Sequence, residues 1–285
     1  MKKILVLSGG GSHGAYQVGV LKRLVETGKS WDVIAGVSVG ALNGTYLAMR
    51  NKTEIARGME ELESIWLSIR GTEDVIKPWL PGFLNYFPAY FKGSLKSTKP
   101  LLKLIQSKFD EEALKNSDVD LRVGTVALCE GKFHTIKKDA PNLPLWILAS
   151  STMPVVMPPV ELDGDKWVDG GVRNQTPLVS VMDVVRDCER RGEYVEVDVV
   201  LTGPTHDEIL VEQPKNVNNL MQIALRCAQI AIDEIYLTDL EIIKGAGNVT
   251  IYEPSKPLLV DPMEFPPAAI QTMIKTGYEE TARLK

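Results

Sequence analysis

Trp31–Leu42 reads WDVIAGVSVGAL. Val33-Ile34-Ala35 is a short apolar run of strand type, Gly36-Val37-Ser38-Val39-Gly40 follows, and Ala41-Leu42 opens a helix-compatible segment. G-x-S-x-G between a strand and a helix is the pattern of a nucleophile elbow. That turn is so sharp that its serine takes a strained backbone. Gly36 and Gly40, two residues away on either side, must then lack a Cβ. The turn would hold the Ser38 hydroxyl above a sheet at a helix N-terminus, where the helix dipole favours developing negative charge. A plain tight turn is written with the same letters, so the rest of the chain has to decide.

Upstream, Lys3–Leu7 reads as a buried parallel strand and Ser8–Gly14 as a glycine loop. Ala15–Glu26 is an amphipathic helix, with Val18, Leu21, Leu24 and Val25 at helical spacing. The chain therefore opens β-α-β-α, the order that builds a parallel sheet covered by helices. Gly9-Gly10-Gly11-Ser12-His13-Gly14 also fits the dinucleotide pattern G-x-G-x-x-G. That reading needs an acid at the end of the second strand, to hold a ribose. The available acid, Asp32, lies before Val33-Ile34, and the elbow occupies the required position. A glycine loop opening a helix serves equally as a set of backbone donors for an oxyanion.

A serine nucleophile needs a base, and two readings stay open. Val160–Val168 is a hairpin turned at Asp163-Gly164. It delivers Asp169-Gly170-Gly171, where the two glycines let substrate or backbone come close. An exposed carboxylate of ordinary pKa, about 3.9, is a weak base, and burial would raise it. The alternative is a triad of Ser38, Asp169 and His206, the last in a loop after the Val195–Leu201 strand, in α/β-hydrolase chain order. His134 is expected to be structural, and His13 lies inside the glycine loop. A third reading makes the chain a non-catalytic lipid- or nucleotide-binding module.

The length of 285 residues suits one large α/β domain, and with no repeat or linker to split it, residues 1–285 read as a single domain. A hydrophobic share of 44% and a charged share of 24% are those of a globular protein, and the net charge of -5 excludes bulk nucleic-acid binding. Cys129, Cys188 and Cys227 have neither disulfide-frame nor zinc spacing. The apolar run after Lys2-Lys3 is too short for a leader, and no run approaches the ~20 residues of a membrane span. A cytoplasmic protein without cofactor or metal is expected.

Val75–Phe109 departs from this acidic background. Lys77, Lys92, Lys96, Lys99, Lys103 and Lys108 stand in it with no Asp or Glu, among Trp79, Phe83, Tyr86, Phe87, Tyr90 and Phe91. Residues 75–109 are either a lid-like insert that touches an anionic lipid surface or a cover whose aromatics are buried. Elsewhere the pattern predicts helices over Ile55–Ile69, Leu145–Ser151, Leu178–Arg190, Asn219–Lys244 and Pro267–Leu284. A hairpin over Val119–Leu128 and Lys132–Lys137 and a last strand at Val249–Tyr252 complete the reading.

Taken together, Gly9–Gly14, Gly36–Gly40 and Asp169-Gly170-Gly171 resemble the patatin-like phospholipase family. Ala149-Ser150-Ser151-Thr152-Met153-Pro154, the pair Pro158-Pro159 and the segment Asn174–Pro177 resemble it too. The likeness runs over residues 3 to about 178. It implies a three-layer α/β/α sandwich around a mainly parallel sheet and a Ser38–Asp169 dyad that hydrolyses lipid acyl esters of the phospholipase A or lysophospholipase type. It also implies an oxyanion hole from the amides of Gly9, Gly10 and Gly11, with Gly14, Gly36, Gly40, Gly170 and Gly171 as supporting motif positions and no metal. His13 stands where the family usually has Arg or Lys.

Overall fold

The computed structural model describes the chain except for residues 81–92, 205–217, 219–221, 224–225, 228–229, 233, 237, 240–247 and 284–285. A β-strand, β1 (Lys2–Leu7), leads through the glycine loop into a helix, α1 (Gly14–Glu26). Next come β2 (Val33–Val37), α2 (Val39–Ala48) and α3 (Ile55–Leu67). β1 pairs in parallel with β2, so the opening β-α-β-α is the parallel unit its hydrophobic pattern predicts.

The sheet order is β10-β9-β1-β2-β5-β8-β7, with β6 on the second edge of β5. β5 is Asp120–Ala127, β6 Lys132–Lys137, β7 Val160–Leu162 and β8 Asp165–Asp169; β9 is Val195–Val200 and β10 Val249–Tyr252. Pairing is parallel from β10 through β5 and antiparallel beyond it. The β7–β8 turn places Asp163 at φ 50° and Gly164 at φ 81°. Two positive φ values in a two-residue hairpin define the tight turn expected of Asp-Gly.

Alternation along the strands divides the core between two faces. Leu5, Leu7 and Ile34 point to one side, where α1, α2, α3 and α8 (Pro267–Arg283) pack. Ile4, Val6, Val33 and Ala35 point to the other, against α7 (Met182–Arg190) and Tyr236 of the helical stretch described between 222 and 239. The result is an α/β/α sandwich. α1 and α8 cross at two glycines: a Cβ on Gly19 would strike the Ile274 carbonyl, and one on Gly277 the Tyr16 carbonyl. Small residues there let the two backbones touch.

Sequence boundaries shift by a few residues. The helix over 145–151 starts earlier as α6 (Leu143–Ser150), with its Pro in the first turn, where a missing N–H costs nothing. Leu178–Val181 is a tight 3₁₀ turn ahead of α7. The helix over 219–244 and the end of the one over 267–284 lie partly outside the described residues.

The 75–109 insert consists, where described, of a two-stranded ribbon, β3 (Lys77–Pro78) with β4 (Lys96–Ser97), and a helix, α4 (Lys99–Lys108); a short helix, α5 (Glu111–Asn116), follows it. Val75, Ile76, Leu101 and Ile105 are buried in the main core, so its flanks are integral to the fold. Phe83, Tyr86, Phe87, Tyr90, Phe91 and Lys92 lie outside the described residues. Among the described residues no helix is long and apolar enough to cross a membrane.

Candidate active site

Ser38 stands between the last residue of β2 and the first of α2, with φ 55° and ψ -126°. For a residue with a side chain this conformation is strained, and neighbours must hold it. A Cβ on Gly36 would collide with the Gly40 carbonyl, and one on Gly40 with the Leu7 carbonyl. The spacing G-x-S-x-G is therefore a steric requirement of this turn. The Ser38 backbone is also tied from outside: its N–H donates to Ser150 Oγ at 2.9 Å, and its carbonyl accepts from Ser151 Oγ at 3.3 Å. Ser150 Oγ in turn donates a hydrogen bond to the Gly124 carbonyl at 2.6 Å, pinning the elbow to β5.

Asp169 arrives by register. Val37 pairs with Gly124, and Asp169 pairs with Thr125, the next residue of β5. β6 occupies the opposite edge of β5 along Arg122–Ala127, so β2 and β8 share one edge and meet end to end. Their meeting point places Ser38 and Asp169 side by side on the wall of one cavity. The Asp169 N–H donates to the Thr152 carbonyl at 3.0 Å, and Asp169 Oδ1 accepts from the Gly171 N–H at 2.8 Å. Burial pushes the Asp169 carboxyl up to about 6, against the downward pull of the Ser38 and Gly171 hydrogen bonds. The carboxylate is thus a stronger base than an exposed one.

The glycine loop faces the same point. Gly10 (φ 144°) and Gly11 (φ 56°) adopt backbone that suits glycine, and Cβ atoms there would meet Thr202 and the Pro262 carbonyl. Neither amide has an acceptor among the described residues, and both residues line a cavity with Ser38 and Asp169. The Gly9 amide is different: it donates to the Gln175 carbonyl at 2.9 Å, which withdraws it from the set of free donors. Gly14 packs against Val39, and Gly170 against the Gly124 carbonyl.

His13 is engaged by the Val260 carbonyl rather than by Ser38 or Asp169. Its Nε2 donates to the Val260 carbonyl at 2.7 Å, and burial holds its pKa below the usual histidine range. It braces the loop as a neutral ring. His134, on β6, contacts Glu130 and packs edge-on against Trp167, as befits a structural residue. His206 lies outside the described residues.

The cavity is about 220 Å³ and is walled by apolar side chains, among them Leu42, Leu62, Trp66, Leu101, Ile105 and Met157. α4 forms one wall, with Leu101 and Ile105 inward and Lys99, Lys103 and Lys108 exposed. Such a space accepts a hydrocarbon chain by burying it from water. Among the described residues no group of three or more His, Cys, Asp or Glu side chains is placed to hold a metal ion.

Four contributors were not legible as individual roles: Ser150, Ser151, Gln175 and Asp239. The two serines end an apolar helix just ahead of Met153-Pro154, which marks a polar seam without naming its partner. Asp239 Oδ2 accepts from the Thr176 N–H at 2.9 Å, and burial pushes its carboxyl up to about 6. It anchors the loop whose Gln175 carbonyl holds Gly9.

A family model described as Patatin-like phospholipase matches residues 5–182. Among curated proteins, the neuropathy target esterase sws of Drosophila melanogaster and that of Drosophila grimshawi are each 30% identical over 181 residues, covering 61% of this chain and 11% of the relative. The chain therefore spans 11% of the length of these relatives. Among solved structures, VipD from Legionella pneumophila superposes with a TM-score of 0.51 at 17% identity, over 99% of this chain and 66% of that one. That similarity is one of fold.

Proposed function

Because the chain belongs to the patatin-like phospholipase family, we propose that it hydrolyses lipid acyl esters through a Ser38–Asp169 dyad. The placement of the strained elbow serine Ser38 and the buried Asp169 carboxylate on the wall of one apolar cavity carries this reading. Ser38 Oγ attacks the acyl carbonyl carbon while Asp169 takes its proton. The amides of Gly10 and Gly11 and the N-terminus of α2 stabilise the oxyanion. Asp169 then returns the proton to the departing alcohol, leaving an acyl group on Ser38 that water removes. The acyl chain lies in the apolar cavity during both steps. In the arrangement of the loop, Gly9 supports the oxyanion hole through Gln175 rather than donating to it.

The test is covalent. A fluorophosphonate should add to one serine, and peptide mass mapping should find it on Ser38. Labelling that maps elsewhere, or a native protein that stays unlabelled, would turn the reading toward a binding module.

The lysines of the insert support a second element of the reading, contact with an anionic membrane beside the cavity wall. Lys77, Lys99 and Lys103 are exposed and Lys96 is half-buried, and Lys99 and Lys103 stand on α4, the helix that walls the cavity. Each basic side chain near such a surface contributes about 1 kcal/mol. Replacing Lys96, Lys99 and Lys103 by glutamine should then weaken binding to phosphatidylserine vesicles roughly a hundredfold at low salt. Turnover of a soluble ester should hardly change. Equal vesicle affinity of the triple variant would assign the insert to covering the core alone.

A further inference from the structure

Gln175 does two separate things. Its backbone is a structural tie: the carbonyl accepts from the Gly9 N–H at 2.9 Å, and the N–H of the next residue, Thr176, donates to the Asp239 carboxylate at 2.9 Å. Its side chain has no hydrogen-bond partner among the described residues. That carboxamide nevertheless lies across the site, its oxygen 3.0 Å and its nitrogen 3.1 Å from where a Cβ on Gly9 would stand. The same oxygen covers the Cβ position of Gly171, to which Asp169 Oδ1 also comes within 3.0 Å. The amide therefore bridges the glycine loop and the Asp169 turn, and it lines the cavity with Ser38 and Asp169.

The polar side chains that hold the elbow and its helix are engaged. Ser150 and Ser151 hold the Ser38 backbone, and Asn43 is committed to Trp66, Gln17 and the Gly14 carbonyl. Hydrolysis of an acyl-Ser38 needs one more reactant, a water placed between the acyl carbon and Asp169. A carboxylate can take one of its hydrogens, but a second polar group has to fix the other, and a carboxamide is suited to orienting an attacking water.

We propose that the Gln175 carboxamide holds the hydrolytic water against Asp169, an inference that rests on the dyad reading. The water oxygen bonds to the acyl carbon as its proton passes to Asp169. The Ser38 Oγ–acyl bond then breaks, the proton moves from Asp169 to Oγ, and a free carboxylic acid leaves. Formation of the acyl-enzyme from an activated ester uses no water and no protonated leaving group, so Gln175 acts in the second half of the cycle.

Gln175→Met keeps the length and the backbone ties and removes the amide. With a nitrophenyl ester, kcat should fall by on the order of 10²-fold. KM should fall with it, so that kcat/KM stays at the parent value, because acylation is untouched. Intact-mass measurement should show acylated protein accumulating at steady state, and fluorophosphonate labelling should proceed at the parent rate. Gln175→Asn, which retains a shorter carboxamide, should recover part of the loss. An unchanged kcat in Gln175→Met would overturn the proposal. So would a parallel fall in kcat/KM and labelling rate, which would mean that the side chain only shapes the site. A parent protein that is not labelled at Ser38 fails the dyad reading itself, a result distinct from both.

Discussion

Ser38→Ala should lower kcat/KM on a short-chain nitrophenyl ester by roughly 10⁶-fold, the loss typical of removing the nucleophile from a covalent mechanism. The elbow is expected to survive the change. Its shape depends on Gly36, Gly40 and the ties from Ser150 and Ser151 to the Ser38 backbone, none of which uses the Ser38 hydroxyl. The variant should therefore keep the parent's far-ultraviolet circular dichroism spectrum while losing both turnover and fluorophosphonate labelling. A folded Ser38→Ala protein with undiminished turnover would remove Ser38 from the mechanism.

The second large effect belongs to Asp169. Asp169→Asn preserves the shape and the acceptor for Gly171 but abolishes the basic carboxylate, and should cost 10²–10⁴-fold in kcat/KM. The parent protein should carry the matching pH signature. The Asp169 carboxyl stands at about 6, and only its ionised form accepts the Ser38 proton. Activity should therefore climb as pH rises through about 6 and level off above it. The stability linkage has the opposite sense. A carboxyl raised in the folded state favours folding at pH values below its unfolded pKa, and that contribution is lost as pH rises through about 6. At pH 7 the ionised, buried Asp169 is thus a cost to the fold, and Asp169→Asn should melt no lower than the parent. The same experiment separates dyad from triad. His206→Ala should leave kcat/KM nearly unchanged, whereas a hundredfold loss in that folded variant would move the general base to the imidazole.

Much of this protein was legible in one dimension because its signals are local. The apolar runs of β1 and β2, the 3.6-residue spacing in α1 and the Asp163-Gly164 turn each depend on neighbours a few residues apart. The elbow is local in the same way. Gly36 and Gly40 are required by atoms of the turn itself and of adjacent β1, so the motif announced a strained serine that the backbone angles bear out. Asp169-Gly170-Gly171, by contrast, is indistinguishable on its own from an ordinary turn.

Its meeting with Ser38 was decided by tertiary structure. The parallel opening of the chain does not foretell that the sheet turns antiparallel at β5, where β8 abuts β2 along one edge. That register brings the carboxylate to the hydroxyl, and the burial it imposes raises the carboxyl to about 6. The same holds for the glycine loop. Its letters offered three donors, and the Gln175 carbonyl, itself held in place by a loop tied to Asp239, takes one of them. Local sequence can specify a backbone conformation because sterics act between neighbours. Proton affinity and the availability of a donor depend on which distant groups exclude water and which accept the bond, and only the folded chain brings those groups together.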